Sequence, residues 1–184
     1  MMATKGEASL ADLYQVPDNG KAELVDGKVI PLSPTGGLPG YAGGEIFASL
    51  RDFSRRTRTG LAFPDNVGFV VNLPHRQSFS PDAAFFTGPN PGMKFPVGAP
   101  VFAAEVRSEG DYGLRAEREI AQKRADYFAA GTLVVWDVDL LSSEVVCRYR
   151  ADAPHQPVVF RRGDTADAEP AVPGWTLAVD DLFL

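Results

Sequence analysis

An α/β or α+β domain built around one β-sheet is what this sequence predicts, and three observations carry the prediction. Short apolar runs bounded by Gly, Pro and Asp-Gly turns dominate the first part of the chain. Two segments show the three- and four-residue recurrence of apolar residues that marks amphipathic helices, and one of these alternates with strands. At 184 residues, against about 100–200 per domain, the chain reads as a single domain over 1–184.

Residues 1–20 read as a leader with room for a short helix, closed by the turn-forming Pro17-Asp18-Asn19-Gly20. Ala22 to Ile30 predicts two short strands around Asp26-Gly27, a strong hairpin signal. Ser33-Pro34-Thr35-Gly36-Gly37 breaks the pattern. From about Gly43 to Arg58 the spacing of Ile46, Phe47, Leu50 and Phe53 predicts a helix. Strands follow at 68–73 and 79–86, then a long loop, GPNPGMKFPVGAP. Val101 to Val106 has few charges and suits a central strand. Leu114 to Ala130 predicts a second helix, stopped by Gly131. A hairpin of 132–138 and 143–149 comes next, with Trp136 as a core strand residue. Short strands or irregular chain complete the sequence, with Trp175 anchoring the C-terminal segment and the lone Cys147 a small apolar filler.

Apolar residues make up 45% and charged residues 23%, enough for a real core. No apolar run approaches the roughly 18 residues that span a bilayer, so no membrane partner and a cytoplasmic address are expected. The net charge of −6 is unevenly spread. Residues 1–60 are neutral, 61–136 carry −1 and 137–184 carry −5. Electrostatic capture of nucleic acid calls for a basic footprint. The nearest one is Arg51, Arg55, Arg56 and Arg58, which reads first as a solvated helix end. His75 and His155 lie far apart in Pro-containing loops, a poor zinc site. No GxSxG, Walker-type or GxGxxG motif is present.

The chemistry is sought instead in acids that stand inside apolar strands, where a carboxylate is costly unless paired or metal-bound. Asp82 follows Pro81 and opens Asp82-Ala83-Ala84-Phe85-Phe86; it is a strand-start residue or a ligand. Glu105 lies within Val101–Val106; it is a ligand or pairs with Arg107, two residues on and facing the same way. If the two strands are neighbours, both carboxylates converge on a point suited to Mg²⁺, a hard cation that takes oxygen ligands. On the second helix Ala116, Ile120, Lys123 and Tyr127 share one stripe. Lys123 there either snorkels to the rim or aims its ammonium at negative charge, where it would orient an attacking water. Glu23, at the start of the first hairpin, is a fourth candidate; taken alone it reads as exposed beside a turn.

Five segments in order resemble the Uma-type family of candidate endonucleases, within the PD-(D/E)XK nuclease superfamily: Glu23-Leu24-Val25-Asp26-Gly27, Ser33-Pro34-Thr35-Gly36, Ser80-Pro81-Asp82-Ala83-Ala84-Phe85, Glu105-Val106-Arg107-Ser108, and Lys123 to Gly131 followed by a Val-Trp strand. The likeness runs from about residue 10 to the end. It implies a restriction-endonuclease-like core, a central mixed sheet flanked by helices with extra hairpins. It implies Asp82 and Glu105 as ligands of Mg²⁺, with Mn²⁺ a substitute, and Glu23 as the family's additional upstream acid. The superfamily's lysine position holds Arg107, which cannot readily lose a proton, so the lysine is expected at Lys123. Tyr41 stands where relatives often carry histidine, and Glu109 to Gly113 replaces the usual Pro-Ser-Asp turn. The function implied is hydrolysis of DNA phosphodiester bonds, Lys123 positioning the water, with a homodimer joining the Arg51–Arg58 helices into one groove. Two alternatives stand beside it: a non-catalytic binding or assembly module, and a hydrolase of smaller phosphate esters.

Overall fold

The structure, a computed structural model, describes residues 7–184; the first six residues of the expected leader lie outside it. The described part of that leader forms a short helix α1 (Leu10–Tyr14) and a 3₁₀ turn (Pro17–Asn19). The hairpin follows where Asp26-Gly27 puts it, β1 (Ala22–Val25) paired antiparallel with β2 (Lys28–Pro31). Asp26 and Gly27 have φ of 48° and 65°, the left-handed pair that a tight two-residue hairpin turn requires.

Helix α2 (Gly37–Thr57) begins six residues before the expected Gly43. Its glycine-rich first turns imitate a loop, and Pro39 is tolerated because first-turn N–H groups need no helical partner. Ala42, Ile46, Leu50 and Phe53 are buried along one stripe, as the periodicity predicts. Strand β3 (Leu61–Pro64) has no counterpart among the sequence expectations, since four residues ending in Pro give little signal. The strands expected at 68–73 and 79–86 resolve into β4 (Phe69–Val70), β5 (Ser78–Phe79) and β6 (Ala83–Phe86). After the long loop come β7 (Phe102–Val106), α3 (Leu114–Ala129), β8 (Val134–Val138), β9 (Val146–Arg150), β10 (Ala153–Phe160), β11 (Thr165–Asp167) and β12 (Thr176–Ala178). His155 therefore lies in a strand and not in a loop.

Six strands form the main sheet in the order β10-β9-β8-β7-β6-β3. Only β7 and β8 pair in parallel, so the sheet is mixed, as expected. A parallel pair cannot be closed by a tight turn and needs a crossover, which α3 supplies. One face is covered by α2 and the C-terminal segment around Phe102, Trp136 and Trp175, whose rings lie 5.1–5.5 Å apart. On the other face Phe79 stacks on Tyr127 of α3 at 4.0 Å, over Ala103 and Val135. Helix α3 buries only Asp126 and Tyr127. Its hold on the sheet is largely ionic.

Candidate active site

Two alternations bring the acids together. Ala84 of β6 pairs with Ala103 of β7, and two residues beyond that pair on either strand stand Asp82 and Glu105. Both line one cleft of about 910 Å³, along with Lys21, Lys123, Arg107 and the loop that enters α2. The cleft thus opens at the C-terminal end of the parallel strand β7 and beneath the first turn of α2.

Each carboxylate is held by one ammonium and one uncharged donor. Lys21 Nζ donates to Asp82 Oδ1 at 2.8 Å and the Val106 N–H to Asp82 Oδ2 at 2.7 Å. Lys123 Nζ donates to Glu105 Oε2 at 2.9 Å and the Tyr127 hydroxyl to Glu105 Oε1 at 2.6 Å. Burial pushes Glu105 up, Lys123 opposes it, and the charges of Asp82 and Glu23 add to the rise, leaving its pKa at about 7. Such a rise marks negative charge not fully compensated by its surroundings.

Glu23 is buried, with 4% of its surface exposed, which corrects the reading of an exposed residue beside a turn. The reason lies in β1, which bridges from Val25 to Arg76 and accepts a bond from the Gln77 N–H at Leu24, so that β1 is covered by 75–78 as well as by β2. Glu23 Oε2 accepts from Arg76 Nη1 at 2.6 Å. Its Oε1 accepts from the Ser80 N–H and lies 2.9 Å from Lys123 Nζ. Burial alone would raise its pKa, but the Lys123 and Arg76 charges bring it down to about 2. Lys123 therefore bridges Glu23 and Glu105: it aims at negative charge and does not merely snorkel. The same two acids hold its pKa above the usual lysine value against the opposing effect of burial.

Arg107 does not pair with Glu105. Its guanidinium engages Asp137 of β8 at 2.7 and 2.8 Å and also Glu117 of α3. Glu105 is already occupied by Lys123 and Tyr127, while Asp137 stands beside it on the parallel strand. Arg124 stacks on Tyr149 at 3.6 Å and lies 3.8 Å from Asp137.

Arg76 and Lys21 escaped the sequence reading, and His75 was weighed there only as a zinc ligand. Arg76 is buried and joins Glu23 to Asp126, with its Nε 2.9 Å from Asp126 Oδ2 and its charge 4.9 Å over the Phe79 ring. His75 Nε2 lies 2.8 Å from Asp126 Oδ1. Lys21 reaches Asp82 and, at 2.6 Å, Asp65. No periodicity marks them, because they lie outside the regular strands and helices and their acids lie far along the chain. The available signal was the need for a cation beside any buried acid.

Two adjoining ion-pair groups, Lys21 with Asp65 and Asp82, and Arg76 and Lys123 with Glu23, Glu105 and Asp126, together hold five carboxylates against three cations, two negative charges in excess when all are ionised. Among the described residues no three His, Cys, Asp or Glu side chains converge as a metal cluster. Two carboxylates on an open cleft nevertheless fit Mg²⁺, which keeps several waters and takes one or two protein carboxylates plus substrate oxygens. The charge excess fits a divalent ion equally well. Arg55, Arg56 and Arg58 lie at the far end of α2, roughly 30 Å from the first turn that borders the cleft at 1.5 Å per residue. Tyr41 lies exposed on α2.

The fold is a mixed α+β one in which two strand carboxylates and a lysine of the crossover helix face a single cleft. Residues 10–180 match the Uma2 family, described as "Putative restriction endonuclease", and the chain belongs to that family. It is similar to the crystal structure of "a putative nuclease belonging to DUF820 from Anabaena variabilis", with a TM-score of 0.72 and 19% identity over 95% of this chain and 97% of that one. That likeness shows a shared fold. No curated protein matches the chain. Among the described residues no helix is long and apolar enough to cross a membrane.

Proposed function

We propose that the chain is a Mg²⁺-dependent endonuclease that hydrolyses phosphodiester bonds in DNA. The observation that carries this reading is Lys123, held between Glu23 and Glu105 in the cleft that Asp82 and Glu105 line. Asp82 and Glu105 would hold the ion, which when bound supplies Lewis acidity and a lowered pKa for its water. Lys123 stays protonated, so it acts as a positioned cation: it orients the water and stabilises charge growing on the phosphorus oxygens. Glu23 is buried and, unlike Asp82 and Glu105, does not line the cleft, so it serves by fixing the ammonium and not as a ligand. Tyr127 fixes the Glu105 carboxylate from below.

The test is cleavage of plasmid, linear duplex and single-stranded DNA with Mg²⁺ or Mn²⁺, with Asp82→Ala and Lys123→Ala in parallel. Both variants should lose activity by about 10²-fold or more, the scale of removing one preorganised electrostatic contact. Cleavage surviving in both at the wild-type rate refutes the assignment. A second reading is favoured by one observation: the cleft cations Lys21, Arg107 and Lys123 are all committed to carboxylates, leaving little to attract a polyanion. A chromogenic phosphodiester belongs in the same assay, since turnover of it without DNA cleavage would identify a hydrolase of smaller esters.

A further inference from the structure

The cleft contains a second lysine in an equivalent position to the first. Asp82 and Glu105 each accept one bond from an ammonium and one from a neutral donor, and the two ammoniums belong to Lys21 and Lys123. Lys21 and Glu23 stand two apart on the extended approach to and start of β1, so this one segment supplies both sides of the site: Lys21 to Asp82, and Glu23 to Lys123. The two lysines differ in what backs them. Behind Lys123 stands Glu23, almost wholly buried and tied to Arg76. Behind Lys21 stands Asp65, whose side chain is 46% exposed, with 14% of the Lys21 side chain itself open.

We infer that Lys21 is the substrate-holding cation of this site: its ammonium occupies Asp82 in the free protein and turns to a phosphate oxygen of the substrate. This rests on the phosphodiesterase reading above and adds a residue to it. Three features carry it. Lys21 lines the cleft beside Asp82, Glu105 and Lys123. A carboxylate that takes up a divalent ion loses its need for an ammonium, so the Lys21 charge is released where the substrate's phosphate must lie. Lys21 touches Asp65 and Asp82 at once, but Asp65 is half-exposed and holds the ammonium from the solvent side, while the Glu23 that backs Lys123 is buried.

The full-length protein with Lys21→Met, Asp65→Asn and Asp82→Asn tests it by two binding measurements that need no turnover. Free Mn²⁺ is titrated by electron paramagnetic resonance, and a short phosphorothioate duplex is titrated by fluorescence anisotropy with Ca²⁺ present. Removing the neighbouring positive charge in Lys21→Met should tighten Mn²⁺ by about tenfold, as expected for a unit charge a few ångströms from the ion. The same variant should bind the duplex about tenfold more weakly, the scale of one charge-assisted phosphate contact. Asp65→Asn, which frees the ammonium without emptying the cleft, should bind the duplex about two- to threefold more tightly. A gain of this kind cannot come from misfolding. If Lys21→Met leaves duplex binding unchanged, or Asp65→Asn weakens it, the Lys21 assignment is overturned while the ion site stands. If wild type binds no Mn²⁺, or Asp82→Asn binds it as well as wild type, the underlying reading fails and takes the inference with it.

Discussion

Arg76→Ala is the perturbation that most directly tests how the site is held together. Arg76 is 8% exposed and its guanidinium neutralises two acids at once, Glu23 at 2.6 Å and Asp126 at 2.9 Å. Breaking a buried pair by removing one partner costs about 3–5 kcal/mol, because the remaining charge is left without compensation. Two features reduce that figure here. Lys123 still faces Glu23, and Asp126 keeps its bonds to His75 and Gln122. Loss of the contact over the Phe79 ring adds about 0.5–2 kcal/mol in the other direction. The expected loss is therefore about 3 kcal/mol, or roughly 6–12 °C in Tm for a chain of this size. Urea unfolding followed by the fluorescence of buried Trp136 and Trp175 measures it, as a lower midpoint at unchanged slope. Arg161→Ala is the control: its partner Glu144 and its own side chain are both more than half exposed, and the loss should stay under about 0.5 kcal/mol. A shift below about 1 kcal/mol in Arg76→Ala would refute the account of Glu23 and Asp126 as acids that depend on this cation.

In metal-free buffer, pH should act on the two glutamates in opposite directions. Glu105 has a folded pKa of about 7 against an ordinary 4.5, so the native state binds the extra proton and stability falls as pH rises through that window. The fall should be about 1–3 kcal/mol, reduced by the quarter of the side chain that faces the cleft, and absent in Glu105→Gln. Glu23, folded pKa about 2, contributes stability that is fully present above 4.5 and disappears as pH falls through 2. Thermal melts in EDTA across this range check both signs; stability rising between 4.5 and 7 would contradict the first. Arg107→Lys should destabilise the protein by about 1–3 kcal/mol without raising cleavage, because an ammonium cannot span Asp137 and Glu117 as the guanidinium fork does. Chemical denaturation and the plasmid assay read the two parts separately.

What could be read from the sequence was what local chemistry decides. Asp26-Gly27 specified its hairpin because only a turn with left-handed residues joins two strands so tightly. The stripe of Ile120, Lys123 and Tyr127 placed the lysine on the inward side of α3, and strand alternation placed Asp82 and Glu105 towards a common cleft. The early start of α2 was hidden because Gly-Leu-Pro-Gly has loop composition, and the helix there is settled by tertiary packing: Gly43 lies against Asp82, where an added Cβ would be 3.5 Å from the Asp82 Cβ. Arg107 misled because two-residue spacing suggested Glu105, while competition from Lys123 and Tyr127 sends it to Asp137. The positions of Lys21, His75 and Arg76 were settled in every case by partners 44 to 61 residues away, which no local pattern carries.

The ionic attachment of α3 joins these points. A crossover helix normally docks through an apolar stripe, yet α3 is fully buried only at Asp126 and Tyr127. Along one side Glu117 and Arg124 engage Arg107 and Asp137; along another Lys123 and Asp126 engage Glu23, Glu105, Arg76 and His75. The contacts that seat the helix are therefore the same contacts that set the position of Lys123. A lysine on a strand would be placed by the sheet itself, whereas one on this helix is placed only when both ionic clusters are made. Buried ion pairs contribute little net stability but tolerate few alternative arrangements. In this fold they exchange apolar adhesion for a defined seating, and the bridging ammonium between Glu23 and Glu105 is where that seating is used.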